Sequence, residues 1–348
     1  MLVMNGRYED AGHEESGHPE RPDRITAAMA GVDDLHLGED LRVVAPHAAT
    51  RAELARVHEG TYLDELGAFC YAGGGDLDED TYATYDSWTI AQYAAGGGLA
   101  VIEELTRLND GVGFIATRPP GHHALRDRAM GFCLLNNIAV AAASLTERGE
   151  RVLIVDWDVH HGNGTQAIFW DKPDVMYVST HQSPLFPGSG AAYEIGGMAA
   201  LGRTINIPLP PGATGDVIRR AIDEVATPAI AEFEPTWVLV SAGFDSHRDD
   251  PMADLALTGG DFAALARTVA GFAPVPGRLA MFLEGGYDLA ALRTSVASTI
   301  AAVLAGAYDD EPPSSGGPGT EMVHNAQAER LVALRIAQEA ASKGDYSA

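Results

Sequence analysis

Six short apolar runs punctuate this chain beyond its first hundred residues: Gly113–Ala116, Val152–Val155, Val175–Val178, Thr204–Ile207, Trp237–Val240 and Leu279–Leu283. Helical patterns lie between and after them, over Asn136–Leu145, Gly164–Phe169, Asp216–Phe233 with Pro228 as an interruption, Gly260–Phe272 and Leu289–Leu304. A run of four or five apolar residues without alternation reads as a strand buried on both faces. Strand–helix alternation then predicts an α/β fold, a mainly parallel sheet with helices on both sides.

The chain before Gly113 is less regular. Residues 1–50 read as polar loop, with one helix from about Asp23 that puts Ile25, Met29 and Val32 on a face. An interrupted helix covers residues 51–67, Gly73-Gly74-Gly75 breaks it, and Asp76 to Asp80 forms an acidic loop. A long helix over Ser87–Leu108 carries Gly96-Gly97-Gly98, which predicts close packing. We divide the chain into a catalytic domain (1–308), a Pro/Gly/Ser linker (309–320) and a C-terminal helical segment (321–348).

Composition narrows the function. Lys plus Arg is 23 and Asp plus Glu is 49, so the formal net charge is −26. That excludes a nucleic-acid binder, which needs a basic footprint. Two cysteines, Cys70 and Cys133, imply no disulfide framework and fit a reducing compartment. No apolar stretch matches a signal peptide or a membrane span, so a cytoplasmic protein is expected.

The chemistry collects where the strands end. After Ala116 comes Thr117-Arg118-Pro119-Pro120-Gly121-His122-His123, and after Val155 comes Asp156-Trp157-Asp158-Val159-His160-His161-Gly162-Asn163. Ser179-Thr180-His181, Gly243-Phe244-Asp245 and Glu284-Gly285-Gly286-Tyr287 follow three other strands. Open α/β sheets bind ligands at the carboxyl ends of their strands. If the chain stays extended past Val155, Asp156, Asp158 and His160 share one face, with Trp157 and Val159 on the other. Buried carboxylates and an imidazole need a partner, and a divalent metal is one. The bland alternative is an acidic loop with two incidental histidines.

A catalytic zinc site takes three protein ligands. Asp158 and His160 are candidates, and Asp245 is placed to be the third. The oxygen-rich set also admits Fe2+. Asp156 is left to orient a histidine or to serve a monovalent cation with Ser179. His122 and His123 suit a general base and acid, with Asp156 and Asn163 as orienting acceptors. Tyr287 follows two glycines and suits hydrogen bonding to a developing oxyanion. Phe132, after Gly131, and Phe186 are candidates for the walls of a narrow channel, although core packing is the commoner fate of a phenylalanine.

The segments RPPGHHA, GFCLLNNIA, VDWDVHHGNGTQ, LFPGSG, SAGFDSHRDDP and LEGGYD occur in this order. From about His18 to about Leu304 the chain closely resembles the histone deacetylase superfamily, which includes acetoin-utilisation proteins and acetylpolyamine amidohydrolases. Trp157 and Asn163 resemble the class II branch and its bacterial amidohydrolase relatives. The resemblance implies a three-layer α/β/α arginase-like fold and zinc-dependent hydrolysis of an N-acetyl or other N-acyl amide of a lysine-like amine. It implies Asp158, His160 and Asp245 as metal ligands, His122 and His123 as the acid/base pair, Tyr287 as the oxyanion donor, and Asp156 as the aspartate that orients a histidine and binds structural potassium. Asn163 stands where class I members have an aspartate, so His123 is expected to be less polarised. Gly131, Phe132 and Phe186 match the substrate channel, Arg24 an internal exit cavity, and Thr81 a rim position that holds substrate backbone. Met252 matches a position where a polyamine-selective relative carries glutamate, which disfavours a polyamine.

Three rivals stand beside this expectation. They are a deacetylase of acetylpolyamines or other small amines, a two-metal ureohydrolase on the same fold, and a silent acyl-lysine-binding module. No motif speaks to oligomeric state.

Overall fold

Along the inner strands, side chains divide between two cores with period two. Leu153, Val155, Val238, Val240, Met281 and Leu283 face one core, while Val152, Ile154, Trp237, Leu239, Ala280 and Phe282 face the other. Both cores are closed by helices, which is the predicted three-layer α/β/α arrangement. The computed structural model describes residues 1–8, 10–308 and 311–343. Parts of the expected linker (309 and 310) and of the expected C-terminal segment (344–348) lie outside the described residues.

The strands are β1 (Leu2–Asn5), β2 (Leu41–Val44), β3 (Gly74–Asp76), β4 (Tyr82–Thr84), β5 (Val112–Ile115), β6 (Val152–Asp156), β7 (Val175–Gln182), β8 (Thr204–Leu209), β9 (Trp237–Ala242) and β10 (Leu279–Leu283). Eight form one sheet in the order β2-β1-β5-β10-β9-β6-β7-β8, and every pairing in it is parallel. β3 and β4 form a small antiparallel ribbon. The strands that end in chemistry, β5, β10, β9, β6 and β7, are consecutive neighbours in the sheet.

The helices are α1 (Asp23–Asp33), α2 (Arg51–Leu54), α3 (Gly60–Tyr71), α4 (Ser87–Leu108), α5 (Asn137–Thr146), α6 (Asn163–Phe169), α7 (Gly215–Ala221), α8 (Thr227–Phe233), α9 (Gly259–Ala270), α10 (Leu289–Val303) and α11 (Thr320–Lys343). α1 and α7–α10 supply one core, and α2–α6 supply the other. The glycines of α4 do allow close packing. A Cβ at Gly96 would lie 1.8 Å from the His47 carbonyl oxygen, and one at Gly98 would lie 2.4 Å from the Phe282 ring.

Three expectations need correction. Residues 1–50 are not loop and one helix alone, because β1 is a fully buried inner strand and β2 is the sheet edge beside it. β7 runs on to Gln182, so Ser179, Thr180 and His181 lie within the strand; Ser179 and His181 share a side-chain hydrogen bond of 2.9 Å. The helix expected over Asp216–Phe233 is broken by a π-helical turn at Ile222–Ala226, and Pro228 sits in the first turn of α8, where its missing N–H costs little. Residues 311–319, within the expected linker, run along the surface of the preceding chain. Thr258 Oγ1 donates to the Pro312 carbonyl (2.9 Å), Gly215 N to Ser314 Oγ (2.9 Å) and Gly317 N to Thr214 Oγ1 (2.9 Å). α11 then docks on its own chain, burying Val323 and Ala326, and Arg330 donates to the Gly202 carbonyl (3.3 Å). Among the described residues no helix is long and apolar enough to cross a membrane.

Candidate active site

β6 ends at Asp156, and the chain then folds through successive turns instead of continuing extended. Each turn is closed by a carboxylate that accepts the amide two residues on. Asp158 N donates to Asp156 Oδ1 (3.2 Å), and His160 N donates to Asp158 Oδ1 (2.9 Å). Such local acceptors give aspartate its preference for turns. The division expected of an extended chain survives: Trp157 and Val159 enter the apolar core, and Asp158 and His160 turn the other way.

Asp245, just beyond β9, reaches the same point. Its Oδ1 accepts from Val159 N (3.0 Å), and its Oδ2 lies 3.2 Å from His160 Nδ1, which is also 3.2 Å from Asp158 Oδ1. One donor atom each from Asp158, His160 and Asp245 fall within 4.8 Å of one another, and all three residues are buried. Two buried carboxylates and an imidazole converging in this way are suited to a divalent ion. Glycine makes room for them. A Cβ at Gly243 would lie 2.0 Å from Asp158 Oδ2, and one at Gly285 would lie 2.0 Å from Asp245 Oδ2.

The tandem histidines come from the loop after β5. Their rings are tilted against each other with centroids 4.0 Å apart. His122 Nδ1 lies 3.0 Å from Asp156 Oδ2, and His123 Nδ1 lies 2.8 Å from Asn163 Oδ1, so each has the acceptor expected for it. With Nδ1 donating, Nε2 of each ring carries the lone pair in the neutral form. Burial lowers the proton affinity of His122, yet the Asp156 and Asp158 carboxylates overcome this and raise it to about 10. Burial, together with the positive charge of His122 and His160, holds His123 well below the ordinary histidine value. The adjacent rings are thus split between a proton holder and a free base. A bound dication would counter the carboxylates that raise His122.

Glu284, given no role from the sequence, braces this loop from behind. Its Oε2 accepts from Gly121 N (2.7 Å) and His122 N (3.1 Å), and its Oε1 accepts from Ser241 Oγ (3.1 Å). Burial lifts its carboxyl to about 7. The available signal was its place as an acid directly after a fully apolar strand.

A narrow cavity of about 120 Å³ leads to these groups. Phe132, Phe186, Met252 and Gly131 line it, with Tyr287, His122 and His123, Asp158 and His160 deeper. The Phe186 ring meets His123 edge-on at 5.1 Å, and the Phe132 ring meets Tyr287 edge-on at 5.8 Å. Phe132 is aimed by a tight turn in which Met130 and Cys133 exchange both backbone hydrogen bonds (3.1 and 3.0 Å). The central residues Gly131 and Phe132 have φ of 55° and 67°, the left-handed pair that a two-residue hairpin turn requires.

Thr81, expected on the rim, is buried behind the wall and does not line the cavity. Asp80 lines the mouth instead. Thr81 Oγ1 donates to Asp80 Oδ1 (2.8 Å) and accepts from Phe132 N (3.1 Å), so it acts through those two residues. Arg24 is fully buried behind Tyr287, with its guanidinium 4.7 Å from the centre of the tyrosine ring. It donates to the carbonyls of Gly286 (2.6 Å) and Glu284, and to Glu20 (3.3 Å). Asp156 and Ser179 stand opposite each other across β6 and β7. The phenol of Tyr177 donates to Asp156 Oδ2 (3.0 Å).

Residues 18–303 match the histone deacetylase domain family. The histone deacetylase-like amidohydrolase of Pseudomonas aeruginosa is 39% identical over 278 residues, which are 78% of this chain and 73% of that protein. A probable deacetylase of Methanothermobacter thermautotrophicus is 39% identical over 323 residues, covering 91% of this chain and 95% of that one. The crystal structure of the HDA15 HD domain superposes with a TM-score of 0.86 at 32% identity, covering 98% of each chain.

Proposed function

Since this chain belongs to the histone deacetylase family, whose members act on amides, we propose that it removes a short acyl group, acetyl in the first place, from a lysine-like amine. The observation that carries the reading is the convergence of Asp158, His160 and Asp245 at the base of a narrow cavity shared with two histidines and Tyr287. In this reading Asp158, His160 and Asp245 hold zinc, with Fe2+ as the alternative, and a potassium ion beside Asp156 and Ser179 is structural only. When bound, the divalent ion supplies Lewis acidity, lowering the pKa of a water and polarising the amide carbonyl.

The remaining work belongs to the side chains. Phe132 and Phe186 flank the aliphatic stem, and the small residue at Gly131 lets it pass. Tyr287 directs its hydroxyl at the amide carbonyl oxygen and donates more strongly as charge builds there. Neutral His123, its Nδ1–H on Asn163, takes the attacking water's proton at Nε2. His122, kept protonated by Asp156, offers its proton to the leaving nitrogen as the carbon–nitrogen bond breaks. The products are the free amine and a carboxylate.

Zinc-reconstituted protein offered acetyl-lysine peptide and N-acetylputrescine side by side tests the reading. Turnover of the peptide, abolished in Asp158→Asn and cut about a hundredfold but still measurable in Tyr287→Phe, is the expected result. Full activity in either variant would overturn the assignment. Asp80 at the mouth favours a second reading, a small acetylated cationic amine, and a strong preference for N-acetylputrescine would select it.

A further inference from the structure

We propose that Asp250, a residue outside the reaction itself, is the positioning residue for Tyr287: its buried carboxylate ties the tyrosine loop to the loop that carries Met252. The inference rests on the proposed role of Tyr287 as hydrogen-bond donor to the amide carbonyl.

Tyr287 is weakly held through its side chain. Its ring has one edge contact with Phe132 and lies under the Arg24 guanidinium, and its hydroxyl has no hydrogen-bond partner among the described residues. Gly285 and Gly286 precede it, and Gly286 has φ of 119°, a conformation for which glycine is the usual residue. Left to itself, such a loop would spread the hydroxyl over many positions. The restraint is on the backbone, immediately after the glycines. Asp250 Oδ2 accepts from Tyr287 N (2.6 Å) and from Asp288 N (3.1 Å).

The other oxygen of the same carboxylate serves a second segment of the cavity lining. Asp250 Oδ1 accepts from Met252 N (3.1 Å), and Met252 and Tyr287 both line the cavity. One 5% exposed carboxylate therefore receives three amides from two segments, one at the mouth and one at the base. Asp288 extends the clamp, because its own Oδ1 accepts from Ala290 N (3.0 Å) and Ala291 N (2.8 Å) and so starts α10. The tyrosine is fixed between a carboxylate before it in sequence and a helix after it. A catalytic hydroxyl displaced by about 1 Å can lose on the order of a hundredfold in rate.

Asparagine at 250 keeps one acceptor oxygen but turns an amide donor toward the other side of the clamp. Alanine removes both acceptors. In Asp250→Ala, hydrogen exchange at the Tyr287 and Asp288 amides should speed up at least tenfold relative to wild type. Amides of β9 and β10 should keep their wild-type protection. On an acetyl-lysine peptide kcat should fall about tenfold or more with KM changed less than threefold, Asp250→Asn should lie between, and Asp250→Ala should add no further loss in a Tyr287→Phe background. Unchanged exchange at Tyr287 and Asp288, or losses that multiply in the double variant, would overturn the proposal. The exchange result decides the clamp even without turnover, whereas a wild type that hydrolyses no acylated amine counts only against the proposed reaction.

Discussion

The Nδ1 atom of His123 faces the side-chain oxygen of Asn163 at 2.8 Å, a neutral amide where the adjacent His122 faces the Asp156 carboxylate. What stands behind each ring adds to the difference in proton affinity, because the Asp156 carboxylate raises His122 while His123, with no carboxylate behind it, is lowered by burial and by the charges of His122 and His160. Asn163→Asp would put a negative charge behind His123 and raise its pKa. A base must be unprotonated to act, so the acidic limb of kcat/KM should move to higher pH by about one unit. A pH–rate profile of the variant checks this, and an unmoved limb would remove His123 from the role of base.

Removal of the metal should be visible as lost stability. Asp158 and Asp245 are buried and close, and burial, reinforced by the charge of Asp158, lifts the Asp245 carboxyl to about 7. An ion that binds only the folded state stabilises by about 4 kcal/mol at a thousand times its Kd. Thermal melts across a zinc titration should show Tm rising with concentration, and a chelator should reverse the rise. A flat titration would contradict the ligand set.

Phe186 is 39% exposed, so its truncation should spare the fold and weaken substrate binding. Phe186→Ala should raise KM for an acetylated peptide about tenfold, equivalent to roughly 1.4 kcal/mol of apolar contact. Tm should stay within about 2 °C of wild type, as expected of a surface substitution. A change in Tm with no change in KM would mean that this ring is packing and not a channel wall.

Acid should destabilise the protein through a buried histidine outside the proposed reaction. His58 donates from Nδ1 to the Leu125 carbonyl (2.8 Å) and accepts at Nε2 from Asn136 N (2.9 Å), so it is held neutral. Burial pushes its pKa down to about 4 from an unfolded value of 6.5. Below 6.5 the unfolded chain binds a proton that the folded chain refuses. Stability is therefore fully present above that pH and drains away down to about pH 4, by about 3 kcal/mol at most for this group. His58→Gln should be less stable than wild type at pH 7 but lose less between pH 6.5 and 4. Parallel stability curves would contradict this.

What was legible in the sequence followed from burial on both faces. Val152–Val155 and Leu279–Leu283 announce themselves because a doubly covered strand needs an unbroken apolar run. β1 escaped because Leu2–Asn5 is only four residues long and ends in a buried asparagine, whose polar atoms are satisfied by Ala116 across the sheet. The candidate site was legible to the extent that its groups follow closely on their strands, as Asp158, His160, Asp245 and Tyr287 do. Glu284 follows β10 even more directly, but its partners and most of those of Asp250 are backbone amides of distant segments, and no spacing encodes such pairings. Thr81 and Asp80 show the finer limit, since adjacent residues on a short loop differ in which one reaches the cavity.

Phe132 holds its ring against the cavity only by accepting a left-handed backbone, at a cost of about 1–2 kcal/mol for a residue with a side chain of this kind. Glycine or asparagine would sit there with less strain, yet neither could present an aromatic face to the cavity. Selection for thermal resistance alone would therefore drift toward the smaller residues at 132 and strip the cavity of that wall, so at this position durability and the shape of the cavity cannot be improved by the same replacement.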